Sequence, residues 1–193
     1  MKNALILHGT DASSQDNWFP WLKGQLEAGG WKVWVPDLPE PSRPVASVYT
    51  KFLLENKDWR FNEQSIIIGH SSGAVEILNL LQHFPKGVVI PACFLVASFS
   101  EVLASEPDWA QLKDLFIEPF DFATIKRHAK KFVLIHSKDD PYCPLEQPQY
   151  LAHELGGELI VFDDKQHFSA SLDPKFTEFP ELLDIIRQKV RIQ

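Results

Sequence analysis

The chain has 193 residues but only two cysteines, nine glycines and one methionine, and its 19 lysines and arginines are outnumbered by 26 aspartates and glutamates. Each shortage removes a class of protein. Cys93 and Cys143 cannot build a disulfide framework or a cysteine-rich zinc site, and Cys93, inside Ala92-Cys93-Phe94-Leu95-Val96, reads as a small core residue. No H-E-x-x-H occurs, so no metal is expected. The glycines form neither G-x-G-x-x-G nor G-x-x-x-x-G-K, which leaves no loop to cradle a phosphate or a nucleotide. A formal charge of −7 argues against a nucleic-acid partner, which requires clustered cations; the longest basic stretch, Lys126 to Lys131, reads as a solvated helix end. Long apolar runs are missing as well. The amino-terminal one, Ala4 to Leu7, is too short for a signal-peptide core, and none approaches the roughly 20 residues of a membrane span. The expectation is a protein with no membrane segment, in a reducing cytoplasm.

What remains is 45% hydrophobic and 23% charged, a composition and length suited to one domain over residues 1–193. Short β-type runs alternate with helix-period segments. Ala4–His8, Trp31–Val35, Ser65–Ile68, Ala92–Ser98, Phe132–His136 and Glu158–Phe162 read as strands, most continuously apolar, as strands covered on both faces are. Ala74, Ile77, Leu78 and Leu81 form a helical stripe, as do Leu182, Leu183, Ile186 and Val190, while Gly29-Gly30 and Gly156-Gly157 end helices ahead of strands. Such alternation predicts an α/β fold with helices on both faces of about six parallel strands, in the order 2-1-3-4-5-6. The order reverses between strands one and three, where a ligand crevice is expected. The 33 residues from Phe99 to Lys131 exceed what a crossover helix needs; they either pack onto the sheet or form a small flap over a pocket mouth.

Directly after the third strand stands Gly69-His70-Ser71-Ser72-Gly73, a G-x-S-x-G at a strand-to-helix turn. Chance alone gives this pentapeptide to about one chain in fifteen of this length, so its weight comes from its placement. Ser71 is the expected nucleophile, and it needs a base. Of seven histidines, His167 follows the last strand in the polar loop Asp163 to Phe168 and can swing over a strand edge. His8 and His136 read as scaffold, His70 as pointing away from the serine, and His83, His128 and His153 as helix residues. An acid must hold the imidazole; after strand five Asp139 and Asp140 both qualify, with Glu101 as an outside candidate. Two backbone N–H groups must face the developing oxyanion, and Ser72 and Thr10 are placed to supply them. Trp18 and Phe19, just beyond the Thr10 loop, either pack the core or line a substrate pocket.

These pieces resemble an α/β-hydrolase, and specifically the small serine hydrolases of the retinoblastoma-binding-protein type and their bacterial relatives. The resemblance covers nearly the whole chain through Leu5-Ile6-Leu7-His8-Gly9, Asn17 to Leu22, Ile68 to Ala74, Asp139-Asp140-Pro141 with Pro144, and His167-Phe168. It implies a three-layer fold with minimal or no lid, a Ser71, Asp140, His167 triad (selecting Asp140 over Asp139), no metal or organic cofactor, and small-molecule esters or amides as substrates, as in a carboxylesterase. The chain departs from the family in having Gln166 where a glycine usually precedes the triad histidine, and it lacks the Leu-x-Cys-x-Glu motif for the retinoblastoma protein. The same constellation also serves acyltransferases, and the fold alone serves weakly active or inactive binding proteins.

Overall fold

The computed structural model describes residues 1–102 and 107–190. Among them six parallel strands form an open sheet: β1 (Asn3–Leu7), β2 (Lys32–Trp34), β3 (Ser65–His70), β4 (Ala92–Val96), β5 (Phe132–Ser137) and β6 (Glu158–Phe162), in the order β2-β1-β3-β4-β5-β6. The expected strand order and fold class are therefore observed. Strand residues alternate between two cores, as a period of two demands. Ala4, Ile6, Ile66, Ile68, Phe94, Val96, Val133 and Ile135 face α1 (Phe19–Ala28) and α6 (Pro180–Lys189). Leu5, Leu7, Ile67, Cys93, Leu95 and Leu134 face α2 (Ala46–Leu54), α3 (Ser72–Gln82), α4 (Phe122–His128) and α5 (Glu146–Leu155). Fully burying each large apolar side chain contributes roughly 1.5–3 kcal/mol before chain entropy is subtracted.

Strand ends differ from the sequence expectation in ways that matter for the site. β3 runs two residues further, through Gly69 and His70, so Ser71 stands at the strand's end. β4 stops at Val96 because Ala97 turns into the left-handed region, with φ of 51°. Register brings the ends level: Leu7 pairs with Gly69, His70 with Val96, and Ser137 with Phe162. The loops that follow β1, β3, β5 and β6 thus open at one edge.

Helix α3 is buried beyond its expected stripe. Val75 on its other side packs with Phe99, Leu112, Leu115 and Cys143, because a 3₁₀ helix at Pro107–Leu115 lies across it. The long segment before β5 therefore packs onto the domain and, as shown below, also walls a cavity. Its crossover helix α4 is only seven residues long. Residues 103–106 of that segment lie outside the described residues. Among the described residues no helix is long and apolar enough to cross a membrane.

Candidate active site

Ser71 occupies the turn between β3 and α3 with φ of 55° and ψ of −125°, a backbone that L-residues adopt only under constraint, at a cost of about 1–3 kcal/mol. The constraint comes from both sides. The Ser71 N–H donates to the Val96 carbonyl at 2.9 Å, and its carbonyl accepts from Ala74 and Val75 as α3 begins. The two flanking glycines are required sterically. A methyl group at Gly69 would lie 2.5 Å from the Gly73 carbonyl oxygen, and one at Gly73 would lie 2.6 Å from the Leu7 carbonyl oxygen and nearer still to that of His8. The strand-to-helix turn can close against β1 only without those side chains.

Thr10, after β1, donates its hydroxyl to Ser72 Oγ at 2.8 Å, tying the first loop to the amino end of α3. Ser72 is the first residue of that helix, where a backbone N–H has no intrahelical carbonyl. His8 supports this loop as expected: Nδ1 donates to the Gly9 carbonyl, and Nε2 accepts from the Leu38 N–H.

At the other end of the site, His167 is 6% exposed and its Nδ1 lies 2.8 Å from Asp140 Oδ2. The second oxygen of Asp140 accepts the N–H groups of Tyr142 and Cys143. Burial pushes this carboxyl upward, but the His167 bond and the two amides outweigh it and hold it below the ordinary carboxylate range. Asp139 and Glu101, the alternatives, are elsewhere: Asp139 bonds the Gln166 N–H, and Glu101 is exposed. Gln166 takes the left-handed conformation, φ of 46°, for which glycine is better suited. His136 is fully buried and donates Nε2–H to the Cys143 carbonyl, a scaffold contact.

His70 does more than turn aside. Its Nε2–H donates to the main-chain carbonyl of His167 at 2.7 Å, and burial pushes its pKa down to about 3, so it stays neutral. Sequence reasoning missed this link, since nothing in the pentapeptide says where its histidine points.

Ser71, His167 and Thr10 line one cavity of about 700 Å3. Phe99, Trp109, Leu112 and Tyr142 give it an apolar wall; the Tyr142 ring stands perpendicular to that of His167 with centroids 5.0 Å apart. Asp11 and Asp16, both exposed, also line it, and among the described residues no lysine or arginine does. Trp109 comes from the 3₁₀ helix and Tyr142 from the turn after β5, where no periodicity flags a pocket residue. The substrate-lining expectation for Trp18 and Phe19 is corrected: both are completely buried in the core, and neither lines the cavity. Trp18 instead donates its indole N–H to the Phe168 carbonyl at 3.2 Å.

Among the described residues, Asp140, Cys143 and His167 form a group whose metal-type donor atoms lie within 4.8 Å of one another. Burial pushes the Cys143 thiol well above its ordinary value, and the other two are already joined by their hydrogen bond. The donor set suits a hydrogen-bonded imidazole–carboxylate pair better than an ion.

The sheet order, the strained serine turn and the histidine loop at the same edge define an α/β-hydrolase fold. A family model described as serine hydrolase matches residues 4–188, and the chain belongs to that family. It is 31% identical over 193 residues to YdeN of Bacillus subtilis (strain 168), named as a hydrolase, covering 96% of this chain and 94% of that one. It is 28% identical over 171 residues to serine hydrolase RBBP9 of Rattus norvegicus, covering 88% and 84%. The crystal structure of the B. subtilis ydeN gene product superposes with a TM-score of 0.89 at 29% identity, over 98% of each chain.

Proposed function

We propose that this serine hydrolase cleaves small carboxylic esters or amides through an acyl-serine, with carboxylesterase-type substrates foremost. Ser71 Oγ attacks the carbonyl carbon while His167 takes its proton, and Asp140 holds the imidazole and stabilises the cation that forms. The N–H groups of Thr10 and Ser72 face the tetrahedral oxyanion. Collapse expels the leaving group, protonated by His167; water, activated by the same imidazole, then releases the acid. The observation that carries this reading is the 2.8 Å bond from His167 to a buried Asp140, with His167 and Ser71 facing the same cavity. The apolar wall suits an acyl or leaving group with aromatic or aliphatic surface, and the Asp11 and Asp16 carboxylates, with no cation among the described lining residues, favour neutral or cationic substrates over anionic ones. Two buried, unbridged cysteines are compatible with a reducing cytoplasm, and that setting is part of the proposal.

The test is covalent. A fluorophosphonate probe is expected to label the wild type and not Ser71→Ala, whose turnover of a short-chain ester falls by on the order of 10⁴ to 10⁶. Equal labelling of both proteins rejects Ser71. Product analysis with added alcohols and amines separates hydrolysis from acyl transfer.

A further inference from the structure

Asp139 stands beside the proposed acid, is exposed, and takes no part in the steps above. Its carboxylate nevertheless reaches the histidine loop. Oδ1 accepts from the Gln166 N–H at 2.8 Å and from the Ser137 hydroxyl at 2.5 Å. The Ser137 hydroxyl oxygen accepts in turn from the Lys165 N–H at 2.8 Å. Two successive amides immediately before His167 are therefore tied to the end of β5, one directly by Asp139 and one through Ser137.

We propose that Asp139 is a positioning residue for His167: anchored to β5 through Ser137, its carboxylate holds Gln166 in the left-handed turn that presents His167 to Asp140. The inference rests on the reading of His167 as the base. Gln166 has φ of 46°, where a side-chain-bearing residue is strained. A loop released from Asp139 relaxes toward negative φ, which rotates the next peptide and carries the imidazole away from its partner. Adjacent aspartates thus divide one task. Asp140 bonds the ring, and Asp139 bonds the backbone that carries the ring. The Ser137 hydroxyl also keeps the Asp139 carboxyl below the ordinary carboxylate range, so the clamp is charged at neutral pH.

Asp139→Ala is expected to lower kcat on the order of 10- to 100-fold with KM changed by less than about threefold, because misplacement of a reacting group acts on the transition state. Asp139→Asn keeps an acceptor oxygen and is expected to stay within about threefold of wild-type kcat. Adding Gln166→Gly to Asp139→Ala should recover much of the loss, since glycine holds positive φ without help. Wild-type kcat in Asp139→Ala, or an undiminished loss when Gln166→Gly is added, overturns the proposal. If Asp139→Ala does not fold, Ser137→Ala decides on the same split, with a KM effect alone counting against the clamp. Amide hydrogen exchange at Gln166 gives a readout that needs no turnover. Faster exchange in Asp139→Ala supports the clamp even where Ser71→Ala still labels, and unchanged exchange removes it even where Ser71→Ala fails to label.

Discussion

Two turns at one sheet edge hold their residues by opposite means. At the serine turn, the strained φ of Ser71 is enforced by what is missing: Gly69 and Gly73 leave room for backbone to touch backbone, inside a fully buried strand and helix. At the histidine loop, Gln166 and Phe168 both lie at positive φ without a glycine, and the backbone is held by side chains reaching in from elsewhere. Asp139 takes the Gln166 N–H, His70 the His167 carbonyl, Trp18 the Phe168 carbonyl and Asn17 the Ala170 N–H. The first device is steric and indifferent to pH. The second is polar, distributed over three distant segments, and partly charged. A steric device should fail completely when breached, whereas a polar one should weaken by degrees.

Gly73→Ala breaches the first. The added methyl meets the Leu7 carbonyl at the end of β1 and the His8 carbonyl just beyond it, and Leu7 cannot shift without disturbing the last pair of the β1–β3 ladder. A loss of roughly 3–5 kcal/mol in folding stability is expected, at the upper end for single substitutions. Urea unfolding measures it. A loss under about 1 kcal/mol would mean that the turn has slack and that the contrast with the histidine loop is overdrawn.

Acid separates the two regions next. The Asp140 and Asp139 carboxyls are both held below their ordinary range, Asp140 by the His167 bond and two amides acting against burial, and Asp139 chiefly by the Ser137 hydroxyl. Between the folded and unfolded values the unfolded chain binds more protons, so stability rises with pH there. The contribution is complete above the ordinary carboxylate range and is lost as pH falls through the depressed folded values. His70 donates Nε2–H to the His167 carbonyl in either protonation state, so this bond survives the descent. Asp140→Asn is expected to cost about 1–3 kcal/mol near neutrality and to flatten the acid limb of stability against pH. An unchanged slope below the ordinary carboxylate range would show that the loop does not depend on this carboxylate.

The same contrast explains what could be read before any coordinates. The strand order, the two-sided burial of the sheet and the strand-to-helix position of Ser71 follow from local patterns: alternating apolar runs, a helical stripe at Ala74 to Leu81, and glycines at fixed offsets. The pairing of His167 with Asp140 rather than Asp139 depended on a family resemblance, because two adjacent aspartates in a turn are locally equivalent. The supports of the histidine loop were illegible. His70 and His167 are 97 residues apart, and Trp18 and Phe168 are 150 apart. Trp18 was misread as a possible pocket residue for that reason, since an aromatic beside a site loop looks the same whether its ring faces the cavity or braces the loop from beneath. Trp109 falls in the stretch that reads as either packing or a flap, and nothing local in the turn after β5 points Tyr142 at the cavity.

The smallest expected effect is the most discriminating. If Gln166 is strained and only held by polar contacts, glycine there should relieve strain while leaving the clamp in place, because the bond to Asp139 uses the backbone N–H. Removing the left-handed penalty of about 1–2 kcal/mol, less the added freedom of an unfolded glycine, leaves a gain of about 0.5–1 kcal/mol. For a chain of this size that raises Tm by about 1–4 °C, which thermal unfolding resolves. Phe168 carries the same kind of strain but cannot be treated the same way, because its ring is fully buried against Phe176 and Phe179. A fall in Tm for Gln166→Gly would mean that its side chain contributes more than its backbone costs, and the histidine loop would then be held by packing, as the serine turn is.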